Sequence, residues 1–342
     1  MPVKELELSI LRAVADPRVL RVIALPTEQC NFRCTYCYED FKIGRMSDTV
    51  VTALKRWLLS RVADVDNLTL SWFGGEPTLA LPIVLDVTAT ARDAYGAAGK
   101  TFASGMTTNG YRLAPDVFAS VVDAGVTDFQ ITLDGPAEVH DTRRVRVSGR
   151  GTFSVVWQNL VGMAQAADRL PPFHVGLRVH YDRVSAYLLP PLIQQIKAAL
   201  MPSRRFTVQF HELEKLGGPR DDEIDLARPG EHEFVRTLAH ELQTEWDSPH
   251  SKLAVDVDDY VCYAAKANAF VLRADGRLGK CTVALSDPRN DVGRLNPDGT
   301  ITLFEPRLGP WLRGIATGDR EVLACPLDGM AGYVPLQLRR TK

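Results

Sequence analysis

Apolar runs that read as β-strands alternate with longer amphipathic segments along the first two thirds of the chain. The strand-like runs are short and rich in Val, Ile and Leu, whereas the segments between them place apolar residues at helical spacing. The predicted strands are residues 19–25, 68–73, 100–106, 128–133, 175–181 and 205–210. The predicted helices between them are residues 47–62, 81–98, 115–124, 152–167 and 186–200. Repeated β/α units of this kind predict a parallel sheet with crossover helices.

The last third of the chain has a different pattern. Residues 231–244 have helical periodicity. Further on, Asp275-Gly276 separates two apolar runs, which is a strong hairpin signal. Residues 296–299 predict a second hairpin.

The composition is that of an ordinary globular protein and suggests one large domain or two unequal ones. The 342 residues are 45% hydrophobic and 24% charged. A net charge of −2 gives no strong attraction to nucleic acid or to an anionic membrane. No apolar run has the length needed to span a bilayer, and the first residues lack the basic region and apolar core of a signal peptide. We therefore expect a cytoplasmic protein with neither a nucleic-acid nor a membrane partner.

Candidate chemistry begins after the first predicted strand, where Cys30, Cys34 and Cys37 have the spacing C-x3-C-x2-C. Cysteine is scarce in this chain, with six in 342 residues, so chance rarely produces this grouping. Iron–sulfur clusters are held by Cys thiolates, and a full set has four. Three thiolates would leave one iron open to an exchangeable ligand. The alternatives are a zinc site, whose usual spacing is paired C-x2-C, and a disulfide, which would leave one thiol unpaired.

Glycine-rich and polar turns follow the next three predicted strands. In β/α barrels the chemistry lies at the C-terminal ends of the strands. The turns are therefore expected on the same rim as the cysteines. They are Gly74-Gly75-Glu76-Pro77, Thr107-Thr108-Asn109-Gly110 and Asp134-Gly135.

The cysteine run resembles the signature of the radical S-adenosylmethionine (radical SAM) enzymes. In that family the open iron is chelated by the amino and carboxylate groups of SAM, and the reduced cluster cleaves SAM to methionine and a 5′-deoxyadenosyl radical that takes hydrogen from a substrate. The resemblance implies that Tyr36, just before the third cysteine, lies near the adenine. The residues Gly74, Gly75, Glu76 and Pro77 match the GGEP motif, which hydrogen-bonds the amino group of SAM in relatives. The alternative for this segment is a simple turn.

A second stretch resembles the "S-x-DG … HD-x-x-R" pattern of peptide-modifying members, with Thr132 in place of the usual Ser. The resemblance implies that Asp134 and Arg144 contact the ribose or carboxylate of SAM, and the alternative for Arg144 is a solvated basic run. Asn109 and Arg178 are further candidate contacts to SAM. Relatives often have Asn where this chain has His180, so no role is carried over to it.

The order Cys262, Gly276-x4-Cys281, Cys325 resembles the SPASM and twitch extensions of radical SAM enzymes, which bind one or two auxiliary [4Fe–4S] clusters. A full SPASM domain has seven cysteines, including a C-x2-C-x5-C run, whereas this chain has three here. We therefore expect one auxiliary cluster with three Cys ligands, whose fourth site is open or filled by another kind of ligand. The alternative is three ordinary buried cysteines.

The resemblance implies an α/β fold, namely an open (β/α)6 partial TIM barrel with a small C-terminal extension that contains the hairpins and the auxiliary cluster. The expected division is an N-terminal segment at 1–17, a radical SAM core at 18–215, a linker and helix at 216–255, and a SPASM/twitch-like domain at 256–342.

The resemblance also implies the function: an oxidoreductase-type radical SAM enzyme that modifies a peptide or protein. Members with such an extension mature ribosomally made peptides (RiPP maturation) by cross-linking, epimerisation or thioether formation, and use a reductant such as flavodoxin or ferredoxin. One alternative is the same chemistry on a small molecule, such as dehydrogenation. An alternative of another class is a non-catalytic iron–sulfur electron-transfer protein, which needs no SAM pocket.

The residue that completes the chemistry is not readable from the sequence. Asp182 follows the fifth predicted strand, and His211 and Glu212 follow the sixth, where an acid or base could act. A structural or solvated role is the alternative for each of these weak candidates.

Overall fold

The computed structural model describes residues 11–245 and 260–330. These residues form two compact units. The first contains residues 11–29, 41–104 and 260–330, and the second contains residues 30–40 and 105–245. Parts of the predicted segments 1–17, 216–255 and 256–342 lie outside the described residues, and the predicted division into core and extension stays a prediction.

The described residues contain twelve strands with the following bounds: β1 Val19–Ala24, β2 Phe32–Cys34, β3 Asn67–Trp72, β4 Thr101–Thr108, β5 Asp128–Leu133, β6 Arg144–Arg146, β7 His174–Tyr181, β8 Phe206–Glu212, β9 Ala269–Leu272, β10 Arg277–Gly279, β11 Gly293–Leu295 and β12 Ile301–Leu303. The helices are α1 Asp48–Ser60, α2 Leu81–Ala97, α3 Pro115–Ala124, α4 Ala137–Arg143, α5 Phe153–Gln165, α6 Pro190–Ala199, α7 Pro229–Glu245, α8 Glu305–Thr317 and α9 Arg320–Ala324. Residues 11–15 are also helical. Within this part of the chain, no helix combines the length and apolar character needed to cross a membrane.

In the first unit the strand order is β12-β11-β10-β9-β1-β3. Strand β1 is parallel to β3 and also to β9. The pairs β9–β10 and β11–β12 are antiparallel, which confirms the two predicted hairpins. The parallel pairing of β9 with β1 was not predicted, because nothing local in the sequence specifies a partner so distant along the chain.

The core of the first unit follows the predicted apolar pattern. Strand β3 buries Leu68, Leu70 and Trp72 at alternate positions, as expected for a strand with one face inside. Helix α1 begins where the sequence indicates, because the Ser47 hydroxyl accepts a hydrogen bond from the Val50 N–H at 3.3 Å.

In the second unit, strands β4, β5, β7 and β8 lie in that order and are parallel throughout. Their apolar residues are buried, and the ring of Phe118 on α3 packs 4.9 Å from that of Phe129 on β5. Helix α3 begins at Pro115 and ends at Gly125, whose φ of 113° is left-handed. The predicted parallel arrangement is confirmed within each unit.

One predicted helix is wrong in its bounds. The sequence predicts a continuous helix over residues 186–200, but Ala186–Leu188 forms a separate 3₁₀ turn and α6 begins only at Pro190. Proline lacks the backbone N–H that a helix interior needs, so Pro190 and Pro191 fit only the first turn of a new helix.

Candidate functional site

The C-x3-C-x2-C run lies on and beside a short antiparallel ribbon in the second unit. Strand β2 pairs with β6, and the register places Cys34 opposite Arg144. The N–H of Thr35 donates to the carbonyl of Arg143 at 2.9 Å, and the N–H of Cys37 donates to the carbonyl of Cys34 at 3.1 Å. The cysteine segment is therefore partly a strand, and this strand brings the second cysteine to a candidate SAM-binding arginine.

Amide groups surround the sulfur of Cys30. The Phe32 N–H donates to this sulfur at 3.3 Å. The side-chain amide of Asn109 lies 3.9 Å from it and donates to Asn31 Oδ1 at 2.9 Å. The carbonyl of the same Asn109 amide accepts from the Tyr111 N–H at 3.0 Å, which fixes the orientation of the amide. Asn109, predicted as a rim residue, therefore lies beside the first cysteine.

Burial controls the protonation of the other two thiols. It raises the pKa of Cys34, with a smaller opposing effect from Arg144. It also raises the pKa of Cys37 to about 12, against a backbone N–H of Glu39 that lowers it. The thiolate is the metal-binding form of cysteine. These thiols therefore become good ligands where a cation such as iron compensates their charge.

A buried polar network, made of Tyr36, Asp134, Arg144 and His180, lies in the same unit. The Tyr36 hydroxyl donates to Asp134 Oδ1 at 3.1 Å and accepts from Arg144 Nη1 at 2.6 Å. The Nδ1 of His180 lies 3.2 Å from Asp134 Oδ1 and 3.3 Å from the Tyr36 hydroxyl. Arg144 is 7% exposed, so the solvated alternative does not describe it.

The surroundings determine the charges of this network. Burial opposes ionisation of Asp134, but the bond from His180 and the charge of Arg144 hold the pKa of this carboxyl well below its usual range. Burial lowers the pKa of His180, so its imidazole is neutral and acts as an N–H donor. Burial opposes the charge of Arg144 as well, yet Tyr36 and Asp134 raise its pKa. The network therefore joins a carboxylate and a guanidinium through a tyrosine hydroxyl.

His140 is hydrogen-bonded to the backbone of this network. Its Nδ1 accepts from the Asp134 N–H at 3.3 Å, and its Nε2 lies 3.1 Å from the Thr152 hydroxyl, which donates to the Arg144 carbonyl at 2.6 Å. Burial and then the charge of Arg144 lower the pKa of His140 to about 4. The ring is therefore neutral, with its proton on Nε2.

Three polar atoms of this region are buried without a hydrogen-bond partner: Asp134 Oδ2, Arg144 Nε and Arg178 Nε. A buried polar group left unsatisfied costs about 1–3 kcal/mol. One anionic acceptor and two cationic donors together suit a ligand that carries both hydroxyl or ammonium donors and a carboxylate.

The glycines of the GGEP segment are required by close packing in the first unit. Gly74 has a φ of 102°, and a Cβ there would lie 2.6 Å from the Thr27 carbonyl oxygen. A Cβ on Gly75 would lie 2.3 Å from the Gln29 carbonyl oxygen. The N–H of Glu76 donates to this same carbonyl at 2.9 Å. The segment therefore packs directly against the residues that precede Cys30 in the sequence.

Glu76 and Pro77 also have local structural roles. The Oε1 of Glu76 accepts from the N–H of Thr78 at 3.0 Å and from its hydroxyl at 2.7 Å, so it caps the 3₁₀ turn Pro77–Ala80. Glu76 is fully buried, and Pro77 occupies the first position of the turn, where no N–H is needed.

Thr132 and Arg178 are neighbours across strands β5 and β7, where the register pairs them directly. Thr132 is buried. Burial lowers the pKa of Arg178, whereas Glu214 raises it. Burial raises the pKa of Glu214 in turn, with an opposing effect from Arg178. Sequence reasoning did not single out Glu214.

Asp182, a candidate acid or base, has a complete set of partners. Its Oδ2 accepts from Arg143 Nη2 at 2.6 Å. Its Oδ1 accepts from the N–H and the hydroxyl of Ser185, each at 2.8 Å. These contacts fit the structural alternative for Asp182.

The other two candidates differ from each other. Glu212 Oε1 accepts from the Ala227 N–H at 2.9 Å, which ties the end of β8 to a later segment. His211 lies with its ring 5.8 Å from that of His180, next to the buried polar network. Burial, followed by the charge of Arg178, lowers the pKa of His211 to about 3, so this imidazole is neutral.

The extension cysteines, Cys262, Cys281 and Cys325, lie near one another in the first unit. Burial, opposed by the Ala264 N–H and reinforced by the other two thiols, raises the pKa of Cys262 to about 11. Burial also raises the pKa of Cys281, while two backbone N–H groups lower it. Cys262 directly precedes the 3₁₀ turn Tyr263–Ala265, and Cys325 directly follows helix α9.

Lys280, which sequence reasoning missed, is fully buried beside these thiols. Its Nζ donates to the carbonyls of Lys266, at 2.5 Å, and Ala269, at 2.7 Å. Burial lowers the pKa of Lys280 to about 7, and Cys262 has the opposite effect. Within residues 11–245 and 260–330, no three His, Cys, Asp or Glu side chains are arranged around a single metal ion.

Residues 25–168 match the family described as the Radical SAM superfamily. The matched region carries the cysteine run and the GGEP segment. The chain is similar to the GTP 3',8-cyclase of Yersinia pestis, with 34% identity over 170 residues that make up 47% of this chain and 48% of that protein. The chain therefore spans about half the length of the curated relative that it matches.

Solved structures share the fold over most of the chain. Native anSMEcpe with bound AdoMet and Cp18Cys peptide has a TM-score of 0.63 and 16% identity, covering 85% of this chain and 80% of that one. Streptococcus suis SuiB bound to precursor peptide SuiA has a TM-score of 0.58 and 13% identity, covering 91% and 70%. The chain shares the α/β fold of these structures and has mostly parallel strands, as expected from its sequence. The partial barrel and the SPASM/twitch character of the extension stay predictions.

Proposed function

We propose that this protein is a radical SAM enzyme that holds a [4Fe–4S] cluster through Cys30, Cys34 and Cys37 and binds SAM there. When bound, the two would supply a 5′-deoxyadenosyl radical, by one-electron cleavage of SAM, for hydrogen abstraction from a substrate. A flavodoxin or ferredoxin is the proposed reductant. The family match over residues 25–168 supports this reading.

The observation that carries the proposal is the set of buried, unpartnered atoms on Asp134, Arg144 and Arg178. SAM carries an ammonium, a carboxylate and ribose hydroxyls, so it offers the donors and the carboxylate that these atoms lack. Strand pairing places Arg144 opposite Cys34, so the unpartnered atoms belong to the same local structure as the cysteine run. A protein that only carried electrons would need no such set, which favours the enzyme over an electron-transfer protein.

The proposed roles follow from the chemistry of each group. Arg144 and Arg178 donate to the carboxylate of SAM, and Asp134 accepts from a ribose hydroxyl. Tyr36 holds Asp134 and Arg144 at fixed positions and lies near the adenine. Further proposed contacts to SAM come from two sets of residues, namely Gly74, Gly75, Glu76 and Pro77, and Asn109 and Thr132.

For the substrate we propose a peptide or protein. Two proteins with this fold, anSMEcpe and SuiB, have peptides bound in their solved structures, and the likeness extends over 85% and 91% of this chain. The modification would be of the RiPP-maturation type, such as a cross-link, an epimerisation or a thioether bond.

A small-molecule substrate is the second candidate. It is favoured by the 34% identity over 170 residues to a GTP 3',8-cyclase. The matched region covers 48% of that relative, so it leaves half of the relative's length unaccounted for.

The test is SAM cleavage by anaerobically reconstituted, dithionite-reduced protein, with 5′-deoxyadenosine measured by mass spectrometry. We expect 5′-deoxyadenosine from the parent and none from Cys34→Ser, whereas Cys281→Ser, the matched control, retains formation. No 5′-deoxyadenosine from the parent under any reducing condition would contradict the enzyme proposal. Addition of GTP, or of peptides encoded beside the gene, then separates the two substrate classes by which addition gives a new product mass.

We also propose one auxiliary [4Fe–4S] cluster held by Cys262, Cys281 and Cys325. Two features support it: Cys281 and Cys325 lie close enough to raise the pKa of Cys262, and the buried side chain of Lys280 lies beside Cys262. A buried cation is stabilised by a nearby anion, and the thiolates of a cluster would provide this negative charge. Iron analysis of the reconstituted parent should give about eight irons per chain, and about four would exclude the auxiliary cluster.

A further inference from the structure

A buried ion pair joins the segment before the first cysteine to the extension. Glu28 and Arg273 have side chains that are 3% and 9% exposed. Arg273 Nε donates to Glu28 Oε1 at 3.1 Å, and Arg273 Nη2 donates to Glu28 Oε2 in a second, shorter bond. The Ala274 N–H also donates to Oε1, at 3.3 Å. This paired, planar geometry is the strong form of a carboxylate–guanidinium contact.

The fold of the first unit explains why the two residues meet. Strands β1 and β9 are parallel and in register, with Ala24 beside Leu272, so both chains leave the sheet at the same edge. The N–H of Leu25 continues the ladder by donating to the Leu272 carbonyl at 2.9 Å. Glu28 follows β1 and Arg273 follows β9, and their side chains bridge the two segments where they leave the sheet.

Arg273 extends the contact toward the second cysteine of the extension. Its Nη1 donates to the carbonyl of Leu285 at 2.6 Å, and Leu285 lies in the segment after Cys281. The backbone of Arg273 also closes the β9–β10 hairpin, because its N–H donates to the Arg277 carbonyl at 2.9 Å. Arg273 therefore contacts the segment before Cys30 and the segment after Cys281 through its guanidinium, and closes the hairpin through its backbone N–H.

The segment around Glu28 has little freedom of its own. The N–H of Glu28 donates to the Gly44 carbonyl at 3.2 Å, and Gln29 Nε2 donates to the Phe41 carbonyl. Gly75 packs so closely on Gln29 that a Cβ would clash with it. The ion pair is the part of this arrangement that the extension supplies.

We propose that Glu28 and Arg273 are positioning residues that set the course of the chain into Cys30, and thereby couple the extension to SAM binding at the first cluster. This rests on the proposed function. Neither side chain is assigned a contact with SAM or iron: they act through the backbone of residues 28–29 and through the packing of the GGEP segment upon it.

The test separates position from stability. Removing one partner of a buried pair leaves an uncompensated charge and is strongly destabilising, whereas replacing both is often close to neutral. The principal variant is therefore the double replacement Glu28→Gln with Arg273→Met. Arg273→Lys is the second variant, because it keeps the charge and loses the paired geometry. The control is Arg277→Met, which removes the exposed Arg277–Asp275 bridge of the same hairpin.

The measurements are thermal unfolding, iron content, and the SAM concentration that half-saturates 5′-deoxyadenosine formation. We expect the double variant to fold and to need about ten-fold more SAM, Arg273→Lys to need several-fold more, and Arg277→Met to match the parent. If the double variant does not fold, the proposal is tested by the SAM concentration that half-saturates Arg273→Lys, which should be several-fold higher than that of the parent. Parental half-saturation in whichever of these variants folds would overturn the proposal. A parent that forms no 5′-deoxyadenosine would instead refute the proposed function, which keeps the two failures distinct.

Discussion

Asp134 offers the sharpest test of the proposed SAM site. The perturbation is Asp134→Asn, which keeps the size of the side chain and an acceptor for the Tyr36 hydroxyl at the Oδ1 position. At the Oδ2 position it places an amide N–H₂ where the parent has a buried, unpartnered acceptor. A ligand hydroxyl that donates to Asp134 Oδ2 would then meet a donor instead.

The magnitude follows from the kind of bond that is lost. Hydrogen bonds to charged groups contribute about 1.5–3 kcal/mol, which corresponds to a loss of about 10- to 100-fold in SAM affinity. The assay is anaerobic equilibrium dialysis of SAM against reconstituted protein, with thermal unfolding to verify the fold. The control is Asp182→Asn, since Asp182 is also buried but both its oxygens are satisfied within the protein. Unchanged SAM affinity in a folded Asp134→Asn protein would refute the assignment.

Three more predictions follow from individual contacts. Gly75→Ala should destabilise the fold by about 1–3 kcal/mol, because its Cβ would lie 2.3 Å from a backbone oxygen. The control Gly96→Ala, in helix α2, meets nothing within 4 Å and should stabilise the fold by about 0.5–1 kcal/mol. Denaturant melts compare the two variants, and equal effects on the free energy of unfolding would count against the packing argument. The pKa of His140 falls from 6.5 to about 4 on folding, so about 3 kcal/mol of folding stability is present above pH 6.5 and lost as the pH drops toward 4. His140→Gln should therefore make the free energy of unfolding less dependent on pH across that range. An unaltered pH dependence would show that other groups cause it. Lys280→Met removes a buried amine next to Cys262 and should make the potential of the proposed auxiliary cluster more negative in a redox titration. An unshifted potential would exclude this electrostatic role.

The sequence predicted most of the regular elements because their signals are local. Helix α3 was predicted with its observed bounds, since Pro115 starts it and Gly125 ends it. The predicted helix over residues 186–200 was wrong because Pro190 requires a new helix start. Strands β2 and β6 were missed because each has three residues, and their pairing depends on tertiary structure rather than on periodicity.

The candidate site was predictable to a similar degree. The motif spacing indicated Asp134 and Arg144 as candidate SAM contacts. Whether Arg144 is solvated or buried depends on the pairing of its strand, β6, with β2, which the sequence did not predict. His180 had no sequence signal, because its contact with Asp134 arises from the packing of β7 beside β5. No prediction was made for Lys280 from the sequence, and only the buried carbonyls around its Nζ reveal its position.

The most direct test of the central claim is the electron paramagnetic resonance spectrum of the reduced protein with and without SAM. The account predicts a cluster signal that changes when SAM is added, that is lost in Cys34→Ser while the signal of the proposed auxiliary cluster remains, and that persists with its SAM response in Cys281→Ser. A spectrum that SAM leaves unchanged in the parent, despite a fully loaded cluster, would contradict the claim that SAM binds at Cys30, Cys34 and Cys37.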